Sequence, residues 1–234
     1  MKAFLLAAGT GTRLRPITDT IPKCLVTIGD RTLLDIWLDA FARAGVTEVL
    51  INLHHLPDAV RAHVAGRAGQ RPDIRLVFEP ELLGSAGTLA ANLDWVAGEE
   101  FFLACNADNL TDFQLQDLIS AHRTGGAVAT LTAFHSENPS AGGVLEVDET
   151  GRMIGFTEKP AQPTSDLVNA GMYALSPAVL DEIPQEPPVD IGYHLLPALV
   201  GLAQVVPVEG YFRDIGTPEA YRLAGREWPA RAAR

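Results

Sequence analysis

The chain has 234 residues, and its 18 lysines and arginines stand against 29 aspartates and glutamates, a formal net charge of −11. This acidic balance disfavours broad nucleic-acid binding, which needs a basic surface to displace counterions. With 47% hydrophobic and 20% charged residues, the composition excludes intrinsic disorder and predicts a globular chain that can bury a sizeable core.

Membrane insertion and secretion are also disfavoured. The sequence contains no run of about 18 uncharged apolar residues, and its apolar start ends at Gly9 and Thr10, too early for a signal peptide. We therefore expect a cytoplasmic protein without a membrane or nucleic-acid partner. Cys24 and Cys105 lie far apart in apolar contexts, so we predict two reduced, buried thiols rather than a disulfide or a zinc site.

The predicted elements alternate between short β-rich runs and helical patterns. In chain order, strands are predicted at 3–7, 49–52, 74–78, 101–105 and 127–134, and helices at 33–44, 60–66, 89–96 and 113–123. Thr32 to Asp35 has the pattern of a capping box, Gly45 follows the helical run, and Pro57 and Gly66 bracket the next helix. Strands that alternate with helices predict right-handed crossovers and a mostly parallel α/β sheet.

After about residue 139 the sequence pattern changes to that of shorter strands and turns. We predict a β-rich elaboration of the same sheet, with two helices near 177–182 and 193–201. The whole chain is predicted to be one domain, 1–234, with a first part of about 1–135 and a second of about 136–234.

The segment from Leu5 to Lys23 carries the strongest chemical signal. A buried strand runs into small residues, hydroxyls and the cations Arg13, Arg15 and Lys23, a combination that can wrap a polyphosphate. A dinucleotide fingerprint is excluded because Leu14 stands where its third glycine belongs, and a Walker loop is excluded because Cys24 follows the lysine. A flexible turn between strand and helix is the alternative.

This segment resembles the signature of the sugar-1-phosphate nucleotidylyltransferases, in Gly9-Thr10-Gly11-Thr12-Arg13-Leu14-Arg15-Pro16-Ile17-Thr18 with Pro22-Lys23. The resemblance extends to Glu79 with Gly84-Ser85-Ala86-Gly87, Asn106-Ala107-Asp108, Glu158-Lys159-Pro160, Asn169-Ala170-Gly171 and Asp214-Ile215-Gly216-Thr217-Pro218. Cys24 departs from the proline usual after the lysine, and Asn106-Ala107-Asp108 from the commoner Gly-Asp. The resemblance implies a Rossmann-like nucleotide-diphospho-sugar transferase fold, a mostly parallel mixed sheet with helices on both faces and a sugar-binding, β-rich second half.

The resemblance also implies a reaction and its residues. A sugar 1-phosphate attacks a nucleoside triphosphate in line, with Arg13, Lys23 and Asp108 as catalytic residues and Mg²⁺ on Asp108 and Asp214. The nucleotide contacts implied are Ala8, Gly9, Thr10, Gly11, Thr12, Arg13, Lys23, Glu79, Gly84 and Gly87. The sugar contacts implied are Asn106, Gly143, Glu158, Lys159, Asn169 and Gly171.

The chemistry of these residue types fits the implied roles. A phosphate nucleophile is already largely ionised near pH 7, so the protein must supply positioning and positive charge rather than a base. Two carboxylates plus substrate oxygens suit Mg²⁺. A carboxylate at Glu79 could accept hydrogen bonds from both N1–H and the amino group of guanine, whereas uracil and thymine offer one N–H, which favours GTP. Glu79 could instead face solvent or pair with a cation.

Other interpretations stay open at this stage. The triphosphate could be UTP or dTTP, and a non-catalytic sugar-nucleotide sensor would share the fold. Arg13 could form a surface ion pair, Asp108 could cap the helix predicted at 113, and Glu158 and Lys159 could be an exposed ion pair.

Further residues are assigned by their pattern. His54 and His55 point to opposite faces of a strand end, so we interpret both as structural. Trp37, Leu34, Leu38 and Phe41 share helical spacing and are predicted to be core. The chain ends at Arg234, so we expect no left-handed β-helix domain and no acetyltransfer. A mannose-like or heptose sugar is favoured, and monomer and homodimer are left open.

Overall fold

The computed structural model describes residues 1–184 and 186–228. Its strands are β1 (Lys2–Leu6), β2 (Thr27–Ile28), β3 (Arg31–Thr32), β4 (Glu48–Leu53), β5 (Asp73–Phe78), β6 (Phe102–Asn106), β7 (Asn109–Thr111), β8 (Ala129–His135), β9 (Gly143–Val147), β10 (Met153–Glu158), β11 (Leu167–Leu175), β12 (Ala203–Pro207) and β13 (Phe212–Asp214). Its helices are α1 (Leu33–Arg43), α2 (Pro57–Ala65), α3 (Ser85–Ala90), α4 (Leu93–Val96), α5 (Leu115–Gly125), α6 (Leu196–Ala198) and α7 (Pro218–Glu227).

The central sheet joins a parallel half to an antiparallel half. Its order is β10-β9-β11-β6-β1-β4-β5, with β8 beside β11 and β12 beside β8. Strands β6, β1, β4 and β5 are parallel, whereas β11 runs antiparallel to β6, β8 and β9. The predicted α/β fold with a mixed sheet is confirmed, and each antiparallel pair of the central sheet contains a strand from the second half of the chain.

Helices cover both faces of this sheet, and successive side chains along each strand point to opposite faces. Phe4 of β1 packs on the face that carries α3 and α4, whereas Ala3 and Leu5 pack on the face that carries α1, α2 and α5. Side chains on both faces are apolar, as expected for a sheet buried between two layers. The four residues of α1 predicted to be core, Leu34, Trp37, Leu38 and Phe41, are all buried.

The start of α1 has the predicted cap. The hydroxyl of Thr32 accepts a hydrogen bond from the backbone N–H of Asp35 at 3.0 Å and donates one to the Asp35 carboxylate at 2.7 Å. Gly45 follows the helix with φ of +77°, a conformation that suits glycine. Helix α2 begins at Pro57 and ends before Gly66, also as predicted.

Several predicted helices differ from the structure. The helix predicted at 89–96 is broken, because Asn92 is non-helical and its amide donates to the Thr88 carbonyl at 2.9 Å, a side-chain bond that competes with the helix. The helix predicted from 113 begins at Leu115, because the Thr111 hydroxyl accepts from the Phe113 N–H and holds these residues in a turn.

Both helices predicted in the second half are also different in kind. The residues at Pro177–Glu182 form a 3-10 helix. The segment predicted at 193–201 is a π-helical turn, Ile191–Leu195, followed by the short α6. Pro197 lies at the start of α6, where its missing N–H costs little.

A third, smaller core lies beside the main sheet. It joins Leu14, Leu33 and Ile215 with Leu110 of β7, and all four side chains are fully buried. Strands β7 and β13 pair antiparallel here, with Asp214 opposite Asn109. This pairing brings together two chain segments about a hundred residues apart.

Both cysteines are free and buried, as predicted. Burial raises the pKa of the Cys24 thiol to about 12 and also raises that of Cys105, so both remain protonated near neutrality. Among the described residues, no helix combines the length and the apolar character that a membrane crossing requires.

Candidate active site

The glycine segment, defined here as residues 7–25, leaves the carboxyl end of β1 and is held by polar contacts. The Asn52 side chain accepts from the Ala7 N–H at 2.7 Å, and the Thr18 hydroxyl donates to the Gly11 carbonyl at 2.7 Å. Gly11 has φ of +63°, and a Cβ there would lie 2.8 Å from the Thr18 methyl group. Only glycine satisfies both the backbone conformation and the space.

Buried neighbours position two of the three cations of this segment, Arg13 and Lys23. Arg13 precedes Leu14, which is fully buried in the third core, and Lys23 precedes the buried Cys24. The Arg13 side chain remains 69% exposed, whereas that of Lys23 is only 10% exposed. Arg13 is therefore free to meet a ligand, and Lys23 is a nearly buried point charge.

Lys23 joins the two carboxylates singled out from the sequence. Its Nζ lies 2.6 Å from Asp108 Oδ2 and 3.5 Å from Asp214 Oδ1, and Arg13 approaches Asp214 Oδ2 at 3.7 Å. The Ile215 N–H donates to the Asp108 carbonyl at 2.9 Å, which fixes the two acidic segments side by side. Asp108 is therefore part of an ion cluster rather than a cap for α5.

The two carboxylates of this cluster repel each other. Burial and then the charge of Asp108 raise the pKa of Asp214, against the lowering effects of Lys23 and Arg13. Gly216 lies directly beside the Asp214 carboxylate. A Cβ on Gly216 would lie only 2.9 Å from Asp214 Oδ2 and 3.1 Å from the Arg13 guanidinium, so the absence of a side chain leaves room for both groups. Two carboxylates held this closely can share a cation more readily than either alone.

Two cavities meet at Asp108, one member of this cluster. The first, of about 540 Å³, is lined by Leu6, Ala8, Gly9, Asn52, Glu79, Leu82, Gly84, Ser85, Asn106, Asp108, Pro188 and Asp190. The second, of about 300 Å³, has Arg13, Asn106, Asp108, Gly143, Glu158, Lys159, Asn169, Gly171 and Asp214 among its lining residues. Asn106 and Asp108 belong to both, so a ligand in one cavity can reach a ligand in the other.

Glu79 lies at the first cavity and is buried rather than solvated. Its Oε1 accepts from the Asn52 amide at 2.9 Å and the Thr88 hydroxyl at 2.6 Å, and Oε2 accepts from the Leu83 N–H at 3.3 Å. All these donors are neutral. Oε1 is thus committed to the protein, while Oε2 makes one long hydrogen bond and keeps capacity for a ligand donor.

The floor of the second cavity is shaped around Gly171. This glycine has φ of +70°, and a Cβ would lie 2.8 Å from Asn109 Nδ2 and clash with the Asn106 amide. Asn169 Oδ1 accepts from the Gly171 N–H at 3.0 Å, and Asn169 Nδ2 donates to the Tyr173 hydroxyl at 2.7 Å. The asparagine is therefore locked in orientation before any ligand arrives.

Glu158 and Lys159 form the charged wall of the second cavity. Lys159 Nζ lies 3.8 Å from Glu158 Oε1, and the side chains are 55% and 15% exposed, respectively. Burial raises the pKa of the Glu158 carboxyl, with a further raising effect from Asp190 and an opposing one from Lys159. Lys159 also has φ of +47°, a conformation that non-glycine residues adopt mostly where function or packing requires it.

Comparison with known proteins identifies the family. The nucleotidyl transferase family matches residues 2–229. The chain belongs to this family. Similar curated proteins include the mannose-1-phosphate guanyltransferase of Schizosaccharomyces pombe, 34% identical over 229 residues, and the mannose-1-phosphate guanyltransferase beta-A of Xenopus laevis, 35% identical over 228 residues. Each alignment covers 94% of this chain and 62% of the relative, so this chain spans about 62% of their length.

Solved structures show the same fold. HddC from Yersinia pseudotuberculosis, complexed with GMP-PN, matches with a TM-score of 0.81 at 22% identity, covering 97% of this chain and 99% of that one. A chain from Bacillus anthracis that carries the name of a glucose-1-phosphate thymidylyltransferase matches with a TM-score of 0.84 at 22% identity, covering 97% and 94%. The predicted nucleotidylyltransferase fold of this nucleotidyl transferase is confirmed.

Most of the predicted site residues of this nucleotidyl transferase meet at the two cavities. The exceptions are Gly87, which faces a separate cavity of about 190 Å³ beside Pro187, and four residues that line neither cavity: Thr10, Gly11, Thr12 and Lys23. The Gly87 N–H already donates to the Val189 carbonyl at 3.0 Å. A nucleotide contact for each of these five residues stays a prediction.

The sequence did not predict the residues that support the glycine segment and Glu79 through hydrogen bonds. Asn52 contacts both the start of the glycine segment and Glu79, and His55 lies 2.8 Å from the Thr18 carbonyl. His54 lies 2.8 Å from the Glu79 carbonyl, so the two histidines have the structural roles predicted for them. A buried polar residue inside the otherwise apolar β4 was the available signal for Asn52.

Proposed function

We propose that the protein condenses a nucleoside triphosphate with a sugar 1-phosphate, releasing pyrophosphate and an NDP-sugar. The observation that carries this proposal is the cluster in which Lys23 contacts Asp108, a residue of both cavities, and Asp214, a residue of the second cavity. One cavity would hold the nucleotide and the other the sugar. A sensor would not need this cluster, so its presence favours catalysis.

The residues would act by position and charge. The sugar phosphate supplies its own ionised oxygen, which attacks the α-phosphorus as the bond to pyrophosphate breaks. Lys23 is held rigidly enough to stabilise the negative charge that gathers on the α-phosphate. Arg13, exposed beside Asp214, can present its planar guanidinium to the departing pyrophosphate.

The same cluster suits a magnesium ion. Asp108 and Asp214 offer carboxylate oxygens that both approach one positive centre, and Mg²⁺ commonly takes one or two carboxylates with substrate oxygens. We propose these two residues as its ligands. When bound, the ion would neutralise phosphate charge.

The nucleotide is proposed to be GTP. Glu79 Oε2 has capacity left for a donor on the ligand, and guanine offers two donors on one edge. The curated relatives are named as mannose-1-phosphate guanyltransferases. UTP and dTTP remain the alternative, since Glu79 Oε1 is already bound by Asn52 and Thr88.

The sugar is proposed to be mannose-like or a heptose. Glu158 can accept from two ring hydroxyls, the oriented Asn169 has one amide hydrogen left to donate, and Lys159 can reach the phosphate. Asn106 and the backbone at Gly143 and Gly171 complete the wall. Since nucleoside triphosphates are cytoplasmic metabolites, we also propose that the protein works in the cytoplasm.

A panel assay tests the proposal. The purified protein would be incubated with Mg²⁺, each of five nucleoside triphosphates and each of several sugar 1-phosphates, and pyrophosphate release would be measured. We expect turnover with GTP and mannose 1-phosphate or a heptose 1-phosphate. Turnover with UTP or dTTP alone would refute the role of Glu79, and no turnover with any pair would refute the function.

A further inference from the structure

The Glu158 carboxylate lies in a slot between two glycines. A Cβ on Gly143 of β9 would lie 2.7 Å from Glu158 Oε2, and a Cβ on Gly192 of the π-helical turn would clash with the same oxygen and lie 2.9 Å from Glu158 Cδ. Real Cβ atoms do not approach other atoms this closely. The absence of both side chains thus creates the space that this carboxylate fills.

Gly192 has no conformational reason to be glycine. Its φ is not in the left-handed region, so alanine could adopt the same backbone. The atoms that an alanine methyl would meet are the end of a flexible side chain rather than backbone. Substitution would therefore displace Glu158 at little cost to the fold.

The surroundings of Glu158 make its position important. It lines the second cavity, 15% exposed, with Lys159 Nζ 3.8 Å from its other oxygen. A carboxylate pushed from the slot would move toward Lys159 or into the cavity. Either movement changes which ligand donors the two oxygens can meet, because hydrogen bonds need donor–acceptor distances of about 2.7–3.2 Å.

We propose that Gly192 is a positioning residue for the sugar site, whose missing side chain fixes the Glu158 carboxylate so that both of its oxygens accept from neighbouring ring hydroxyls of the sugar 1-phosphate. The proposal rests on the proposed function for the identity of the ligand. The placement of the carboxylate itself does not depend on that function. A sugar lacking either hydroxyl would lose the benefit of the slot.

The test compares Gly192→Ala with Gly98→Ala. Gly98 also lies outside the left-handed region and has nothing within 4 Å of an added Cβ, so its variant controls for the substitution itself. Crystal structures, melting temperatures and the KM of each substrate would be measured. Gly192→Ala would also be combined with Glu158→Ala.

For Gly192→Ala we expect an unchanged melting temperature, a Glu158 carboxylate displaced by more than 1 Å, and a KM for the sugar 1-phosphate raised roughly tenfold. The KM for the triphosphate should stay constant. In the Glu158→Ala background the second substitution should add nothing.

Two results would overturn the inference: an undisplaced carboxylate, or an equal KM effect with and without Glu158. If the wild-type protein turned over no sugar phosphate, the proposed function would fail, while the crystal structure would still decide whether Gly192 positions Glu158.

Discussion

The ammonium group of Lys23 lies 2.6 Å from the carboxylate of Asp108, although 85 residues separate them in the chain. The fold creates this contact by bringing the end of the glycine segment to the carboxyl end of β6. Asp214 completes the cluster at 3.5 Å from the same nitrogen. Positive and negative groups thus alternate where the two cavities join, as a site for phosphate and a cation requires.

Replacing Lys23 with methionine should remove the buried positive charge while keeping most of the side-chain volume. We expect kcat/KM to fall by on the order of 10³-fold, as for loss of a preorganised electrostatic group. Lys2→Met is the matched control, because Lys2 contacts the Trp95 carbonyl and Glu99 and neither Asp108 nor Asp214. Steady-state kinetics with circular dichroism would check this, and a Lys23→Met variant with near-normal activity would refute the role.

Asp214→Asn should weaken the response to magnesium. The variant keeps the shape of the side chain but removes one of the two carboxylate charges offered to the cation. We expect the Mg²⁺ concentration for half-maximal activity to rise at least tenfold. Asp94→Asn, an exposed substitution on α4, should leave this concentration unchanged. An unaltered magnesium titration for Asp214→Asn would argue that the residue does not bind the metal.

Glu158→Gln should separate stability from activity. Because burial raises the pKa of Glu158 above its ordinary value of 4.5, the folded protein binds this proton more tightly than the unfolded chain. The resulting stabilisation is complete below the ordinary pKa and is lost as the pH rises through the raised one. We therefore expect the variant to melt at a higher temperature than wild type at pH 7, with a weaker affinity for the sugar phosphate.

The pH series provides the control for that prediction. Below about pH 4.5 both proteins carry an uncharged side chain at position 158, so the difference in melting temperature should shrink. A wild-type protein more stable than Glu158→Gln at neutral pH would contradict the account of a costly buried charge.

Thr32→Ala should destabilise the fold without changing the chemistry. The Thr32 hydroxyl caps α1 through the Asp35 N–H and lines neither cavity, so we expect a loss of about 1 kcal/mol in the free energy of unfolding. Thr32→Ser retains the hydroxyl and should recover most of it. Denaturant unfolding and kinetics would check both, and a loss of activity at a temperature where the variant is fully folded would contradict this role.

Local patterns predicted the features that depend on neighbouring residues. The cap at Thr32 and the glycine segment follow from short-range chemistry, and the structure has both. The mostly parallel sheet followed from the alternation of strand and helix. Local patterns did not predict the helix break at Asn92 or the π-helical turn at Ile191–Leu195. Each depends on a particular side-chain hydrogen bond or on packing against distant segments.

In the candidate site, too, sequence motifs identified individual residues, whereas the contacts between distant residues came only from the structure. Sequence motifs pointed to Asp108 and Asp214, but only the structure, through the pairing of β7 with β13, shows that both contact the ammonium group of Lys23. The sequence could not show that one carboxylate oxygen of Glu79 already accepts hydrogen bonds from Asn52 and Thr88. It also gave no reason to choose Gly192, whose relation to Glu158 is set by packing.

A crystal structure with Mg²⁺, a non-hydrolysable GTP analogue and mannose 1-phosphate is the most direct measurement. The account predicts the base beside Glu79, the sugar beside Glu158, and the cation on Asp108 and Asp214 with Lys23 against the α-phosphate. Phosphates bound away from Lys23, or a cation held by other residues, would contradict it.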